Sequence, residues 1–144
     1  MWWRGTHRSA ARAVVVGSLA WVSVAIGCSN AGSPEAVADA FADAYFRRMD
    51  QEKAKEFTAL GASAMLDEEL RSVAEVRKDG YSPAEEASEV TIRRGESVPR
   101  DQRVRVPYEI VIKSDGSESI KDADVELTRI SGTWKVVRVG LKAR

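Results

Sequence analysis

Histidine occurs once, at His7, and cysteine once, at Cys28, so the residues beyond position 28 contain neither. Without imidazole or a free thiol, that stretch cannot build a zinc site on His or Cys ligands. It also lacks a Ser-His-Asp or Cys-His triad and the usual general base. A single cysteine makes no internal disulfide. Charge of one sign is also missing: 22 Lys and Arg balance 22 Asp and Glu. Bulk electrostatics therefore exclude a nucleic-acid binder. Long hydrophobic runs are absent as well. The longest, Ala13 to Ile26, has 14 residues and is interrupted by Gly17, Ser18 and Ser23, whereas a membrane-spanning helix takes about 20.

What is present begins with that short run. It follows Arg4, Arg8 and Arg12, with no acidic residue before it. A basic segment followed by an apolar one of this length is the pattern of a secretory signal peptide. Its end, Ala25-Ile26-Gly27-Cys28, resembles the lipobox of bacterial lipoproteins, with Ala25 where Leu is usual. The resemblance implies diacylglycerol on the Cys28 thiol, cleavage after Gly27 and acylation of the new N-terminus. More than one acyl chain gives stable anchoring where one is marginal. The expected organisation is a leader over 1–27, a lipidated tether over 28–32 and one domain over 33–144. Removing the leader leaves 117 residues with 19 Lys and Arg against 22 Asp and Glu, a side-chain charge of −3. The expected location is extracytoplasmic and membrane-anchored, in the outer membrane if the host is Gram-negative.

The domain reads as helices first. Ser33-Pro34-Glu35 combines a capping Ser, a Pro suited to the first helical position and an acid at the positive end. Val37, Ala40, Phe41, Ala44 and Tyr45 then form an apolar stripe. This predicts a helix to about Met49. Asp50 caps a shorter one to Phe57, and a third runs from about Ala64 to Lys78, stopped by Gly80. Ser82-Pro83-Ala84-Glu85 is a capping box. From Ser88 the period falls to two. Strands are predicted near Val90–Gly95, over Gln102–Lys113, to Ile130 and over Thr133–Leu141. Asp115-Gly116 and Ser131-Gly132 are the turns. If Asp115-Gly116 is a two-residue turn, strand partners sum to 231, placing Arg105 opposite Glu126. Pro107 cannot donate a ladder hydrogen bond, which puts an edge or a bulge there. The last strand is apolar on both parities. In the simplest register Val137 and Val139 face away from the helices, beside Val111 and Ile120. Three covers are open: the curl of the sheet itself, a one-residue bulge near Val137 that turns the pair inward, or a homodimer through that face. The fold class is α+β, with N-terminal helices packed on a curved four-stranded antiparallel sheet.

This element order, with Phe41, Tyr45, Asp50, Gly132, Trp134 and Val136, resembles the nuclear transport factor two-like superfamily of cystatin-like α+β cones. Within it the chain is similar to small bacterial lipoproteins of unknown function. The superfamily includes ketosteroid isomerases, polyketide cyclases and many non-enzymatic binding modules, and fold alone does not choose among them. The resemblance implies a cone pocket, for which Phe41, Tyr45, Tyr108 and Trp134 are the expected lining. No acid shares the apolar faces of the two tyrosines, so catalytic residues, metal and cofactor are expected to be absent. Arg93, Arg94, Arg100, Arg103 and Arg105 form a basic cluster, read either as a solvated strand face balanced by Asp122, Asp124 and Glu126 or as a site for an anion. The function expected is that of a non-catalytic binding or assembly module of the cell envelope. Its partners are the membrane, through acylated Cys28, and an envelope protein. The alternatives are a carrier of a small apolar ligand and an isomerase- or cyclase-like pocket enzyme.

Overall fold

The computed structural model describes residues 32–78 and 88–144. The leader, Cys28, most of the tether and the 82–85 capping box lie outside the described residues. The first helix starts as its sequence dictates. Ser33 caps it, accepting a hydrogen bond from the Ala36 N–H at 3.1 Å, and Pro34 opens helix α1, Pro34–Ala42. The helix then widens into a π-helical turn, Asp43–Arg47, where the Arg48 N–H donates to the Asp43 carbonyl. Single π turns of this kind often accompany functional sites. Asp50 caps helix α2, Gln51–Lys55, by accepting from the Lys53 N–H at 2.9 Å. Helix α3, Leu60–Arg77, begins four residues earlier than its apolar spacing suggested. Its first residue, Leu60, has φ +54 and is 67% exposed. Asp67 of this helix pairs with Lys55, and Arg71 pairs with Glu68 at 2.7 Å.

The strands are β1 (Glu89–Arg94), β2 (Val98–Arg100), β3 (Arg103–Ser114), β4 (Ser117–Ile130) and β5 (Thr133–Ala143). They form one curved, unclosed antiparallel sheet in the order β1-β3-β4-β5, and β2 pairs with the same edge of β3 as β1. The four long strands match the expected meander. The three-residue β2 is an addition, and Pro107 explains the break before it. That residue has no N–H to offer this edge of β3, so pairing lapses between Arg94 and Val98. The Gly95 N–H instead donates to the Pro107 carbonyl at 2.8 Å, and a Cβ on Gly95 would lie only 3.0 Å from the Pro107 ring. Both hairpins turn on paired left-handed residues, Asp115-Gly116 (φ 46 and 80) and Ser131-Gly132 (φ 51 and 82). The β3–β4 register is the expected one, with Arg105 opposite Glu126 and Val106 opposite Val125.

Between β4 and β5 the register shifts by one. Leu127 faces Val136 and Glu126 faces Arg138, leaving Val137 as an unpaired extra residue. The expected bulge is thus present. An unshifted pairing would set Arg138 opposite the fully buried Val125, where an unpaired charge costs several kcal/mol. With the bulge, Val139 takes that place against the core, and Arg138, Gly140 and Lys142 turn outward. Beside it, Phe57–Ala59 cover the free edge of β5. The Val136 N–H donates to Phe57 O and the Ala59 N–H donates to Val136 O, both at 2.9 Å. The core lies between α1, α3 and the inner sheet face, with Phe41, Leu66, Val106, Val125, Leu127 and Val136 fully buried.

Candidate functional site

The helical face next to the apolar stripe of α1 carries Asp39, Ala42 and Asp43, and Arg47 continues it through the π turn. This face meets β1 and the middle of β3. Together with Val90, Ile92, Arg94 and Tyr108 it lines an open cavity of about 590 Å³. That is enough for a small ligand. Tyr108 points into it from β3, and its hydroxyl donates to Asp39 Oδ1 at 2.9 Å. Arg94 of β1 pairs with the other Asp39 oxygen. Burial, and then the Asp39 hydrogen bond, push the Tyr108 phenol well above its ordinary range. It therefore stays protonated and donates. At the lower rim Asp43 is held by Arg47 and by Arg48, the latter at 2.7 Å. One turn before Asp39 on α1, the Ser97 hydroxyl donates to Glu35 at 2.7 Å and holds that carboxyl below its usual value.

Of the four expected lining residues, only Tyr108 reaches this cavity. Phe41 is wholly buried, stacked 5.3 Å from Tyr45 and edge-on to Phe46 at 6.3 Å. Tyr45 turns to helix α3, where its hydroxyl donates to Glu69 Oε1 at 2.6 Å. Burial, and then this bond, raise its pKa too. Trp134 sits at the far hairpin beneath the Arg129 guanidinium, 5.1 Å from the ring centroid. The expectation that no acid accompanies the tyrosines is therefore corrected. Asp39 and Glu69 come from helices, so strand parity could not reveal them. The available signal was the i, i+3, i+4 set Asp39, Ala42, Asp43 flanking the apolar stripe. The basic cluster is also divided. Arg94 joins the cavity, while Arg93 pairs with Glu109, Arg103 with Glu126 and, more loosely at 3.9 Å, Arg105 with Asp124. No group of three potential metal ligands occurs among the described residues.

Asp39 has both oxygens engaged, one by a phenol and one by a guanidinium, although its side chain is 47% exposed. A carboxylate so held ties α1 to β1 and β3 and offers little as a free base. The coupling is measurable. Tyr108→Phe is expected to cost about 0.5–1.5 kcal/mol, and Asp39→Ala somewhat more because it strands the buried hydroxyl. The double variant should lose about 0.5 kcal/mol or more less than the sum in urea unfolding. Strict additivity would show that the phenol and the carboxylate do not act together.

No family model and no curated protein matches the chain. Solved structures do. A Bdellovibrio bacteriovorus protein, Bd1075, superposes with a TM-score of 0.53 at 15% identity, covering 76% of this chain and 39% of its own. The chain thus spans about two fifths of the length of that relative. Rd1NTF2_05, in a form carrying five substitutions, superposes with a TM-score of 0.52 at 12% identity, covering 79% of this chain and 99% of its own. Helices followed by a curved, open antiparallel sheet, together with these likenesses, give the chain the nuclear transport factor two-like α+β cone fold.

Proposed function

We propose that the chain is an exported lipoprotein, anchored through Cys28, whose cone domain is a non-catalytic binding or assembly module of the cell envelope. The observation that carries the anchor is the lone cysteine, placed directly after Ile26-Gly27 at the end of a 14-residue apolar run. The binding role is supported by an open cavity with mixed apolar and charged lining, in a fold that commonly serves ligands. A non-catalytic role is supported by the Asp39 carboxylate, whose two oxygens are already engaged by Tyr108 and Arg94. No helix among the described residues is long and apolar enough to cross a membrane. Mass spectrometry of the chain extracted from native membranes tests this reading. An acylated N-terminal Cys28 is expected; a membrane-bound mature chain with an unmodified thiol refutes it.

A second reading, an isomerase- or cyclase-like pocket enzyme, draws on one observation. The Tyr108–Asp39 pair is a hydroxyl donor beside a carboxylate on a cavity wall. It requires turnover of a small cyclic ketone that falls at least about tenfold in Tyr108→Phe. Turnover no faster than solvent ends it.

A further inference from the structure

The outer face of the sheet, opposite the helices, carries a second concavity that the cone pocket does not account for. Its lining brings together Arg103 and Arg105 of β3, Asp124 and Glu126 of β4, and Arg138, Gly140 and Lys142 of β5, with Arg100 and Asp101 at one end. Five cations stand against three carboxylates there. Two of the three acids are taken up on the β3 side, Glu126 by Arg103 at 3.5 Å and Asp124 by Arg105 at 3.9 Å, while Asp101 at the end of the groove enters no ion pair among the described residues. The ion pairs among the described residues leave out Arg100, Arg138 and Lys142.

Three features mark this surface as built to receive something. The first is the bulge. By absorbing Val137 it turns Arg138 and Lys142 onto the same face as Arg103 and Arg105, and bulges commonly re-aim side chains at sites. The second is Gly140, midway between those two cations and opposite Asp124. Glycine inside a strand costs stability, and a Cβ added here would meet nothing within 4 Å. The floor is open. The third is Arg105, whose Nε is buried and has only the distant Asp124 carboxylate at 3.9 Å, too far for a hydrogen bond. Buried donors of this kind ordinarily find an acceptor.

We infer that this outer groove binds an anion of the phosphate or diphosphate class, seated over Gly140 between Arg138 and Lys142. Arg138 and Lys142 are four residues apart, about 13 Å along the strand, and β3 and β5 lie about 10 Å apart across β4. Long side chains on both columns can converge on one multiply charged group, and the guanidinium fork suits phosphate oxygens. The shared chemistry fits a lipid headgroup or a soluble phosphate. The inference deepens the binding-module reading by naming a ligand class, but it does not depend on acylation of Cys28.

The test uses the full chain bearing Cys28→Ser, so that its outcome is separate from that of the anchor. Inorganic pyrophosphate is titrated while backbone amide shifts are followed. Saturable shifts centred on Gly140 and Arg105 are expected, weakening with added salt. Gly140→Val fills the floor with a residue well suited to a strand, and Arg138→Gln with Lys142→Gln removes the cations. Each variant should raise Kd about tenfold or more. Retained far-ultraviolet dichroism shows that each still folds. In a parallel arm, sedimentation with phosphatidylglycerol vesicles but not phosphatidylcholine vesicles, lost in Gly140→Val, assigns the anion to a lipid headgroup. Pyrophosphate binding without vesicle binding assigns it to a soluble phosphate. Absence of saturation, or binding that survives both sets of substitutions, overturns the inference.

Discussion

Replacing Phe41 by alanine is expected to lower the unfolding free energy by about 3–5 kcal/mol, the usual cost of emptying a buried aromatic site. Phe41 is 0% exposed and is the largest of the fully buried side chains. It projects from α1 into the core formed with the inner residues of β3, β4 and β5, and it stacks on Tyr45. Little is available to collapse into the space, since much of the surrounding helical surface is alanine: Ala38, Ala42 and Ala44. Ordinary domains are stable by only about 5–15 kcal/mol, so this one change should remove a large share of the total. In guanidinium unfolding the midpoint should fall with the slope unchanged. Leu60→Ala, at an exposed position, should stay within about 0.5 kcal/mol by comparison. A Phe41→Ala cost below about 1 kcal/mol would mean that the core is not centred on α1.

The second large effect concerns location rather than stability. Cys28→Ser is expected to abolish acylation and, with it, the membrane-bound mature form. On the proposed reading the Cys28 sulfur would receive diacylglycerol, and a serine hydroxyl is far less nucleophilic than a thiolate. Each buried methylene contributes about 0.8 kcal/mol of membrane affinity, so losing the acyl chains removes far more than any surface contact could replace. The basis is once again the lone cysteine after Ile26-Gly27. Fractionation with intact-mass measurement should find no acylated species in the variant. A variant that remains quantitatively with the membrane as a cleaved chain would show that the anchor lies elsewhere.

The parts of this fold legible in the sequence were those fixed locally. Ser33 and Asp50 mark helix starts because each cap is satisfied within three residues. Asp115-Gly116 sets the whole β3–β4 register, because one tight turn fixes every pair after it. Residues paired at long range were not legible. Tyr108 and Asp39 are 69 positions apart, and the strand's alternation says only which face Tyr108 takes. Parity likewise could not decide between a dimer face and a bulge at Val137. The bulge itself depends on the cost of burying Arg138, which appears only once Val125, the residue an unshifted pairing would set opposite it, is known to be fully buried. The π turn left no local trace, since Asp43 to Arg47 reads as ordinary amphipathic helix. Three of the four aromatics expected in the pocket were instead spent on packing, which is what large apolar side chains do by default.

The bulge also makes β5 one residue longer than its pairing requires. Chain length and facing are thereby uncoupled at a single point. Excising Val137 would leave Leu127 opposite Val136 and Glu126 opposite Arg138, the pairs already present. Excising any one residue of the continuous run in β4 from Ile120 to Glu126 would instead reverse the facing of everything beyond it. In terms of insertions and deletions, Val137 is the slack in an otherwise inextensible meander. It is the place where this strand can change length by one codon while keeping its inner and outer surfaces.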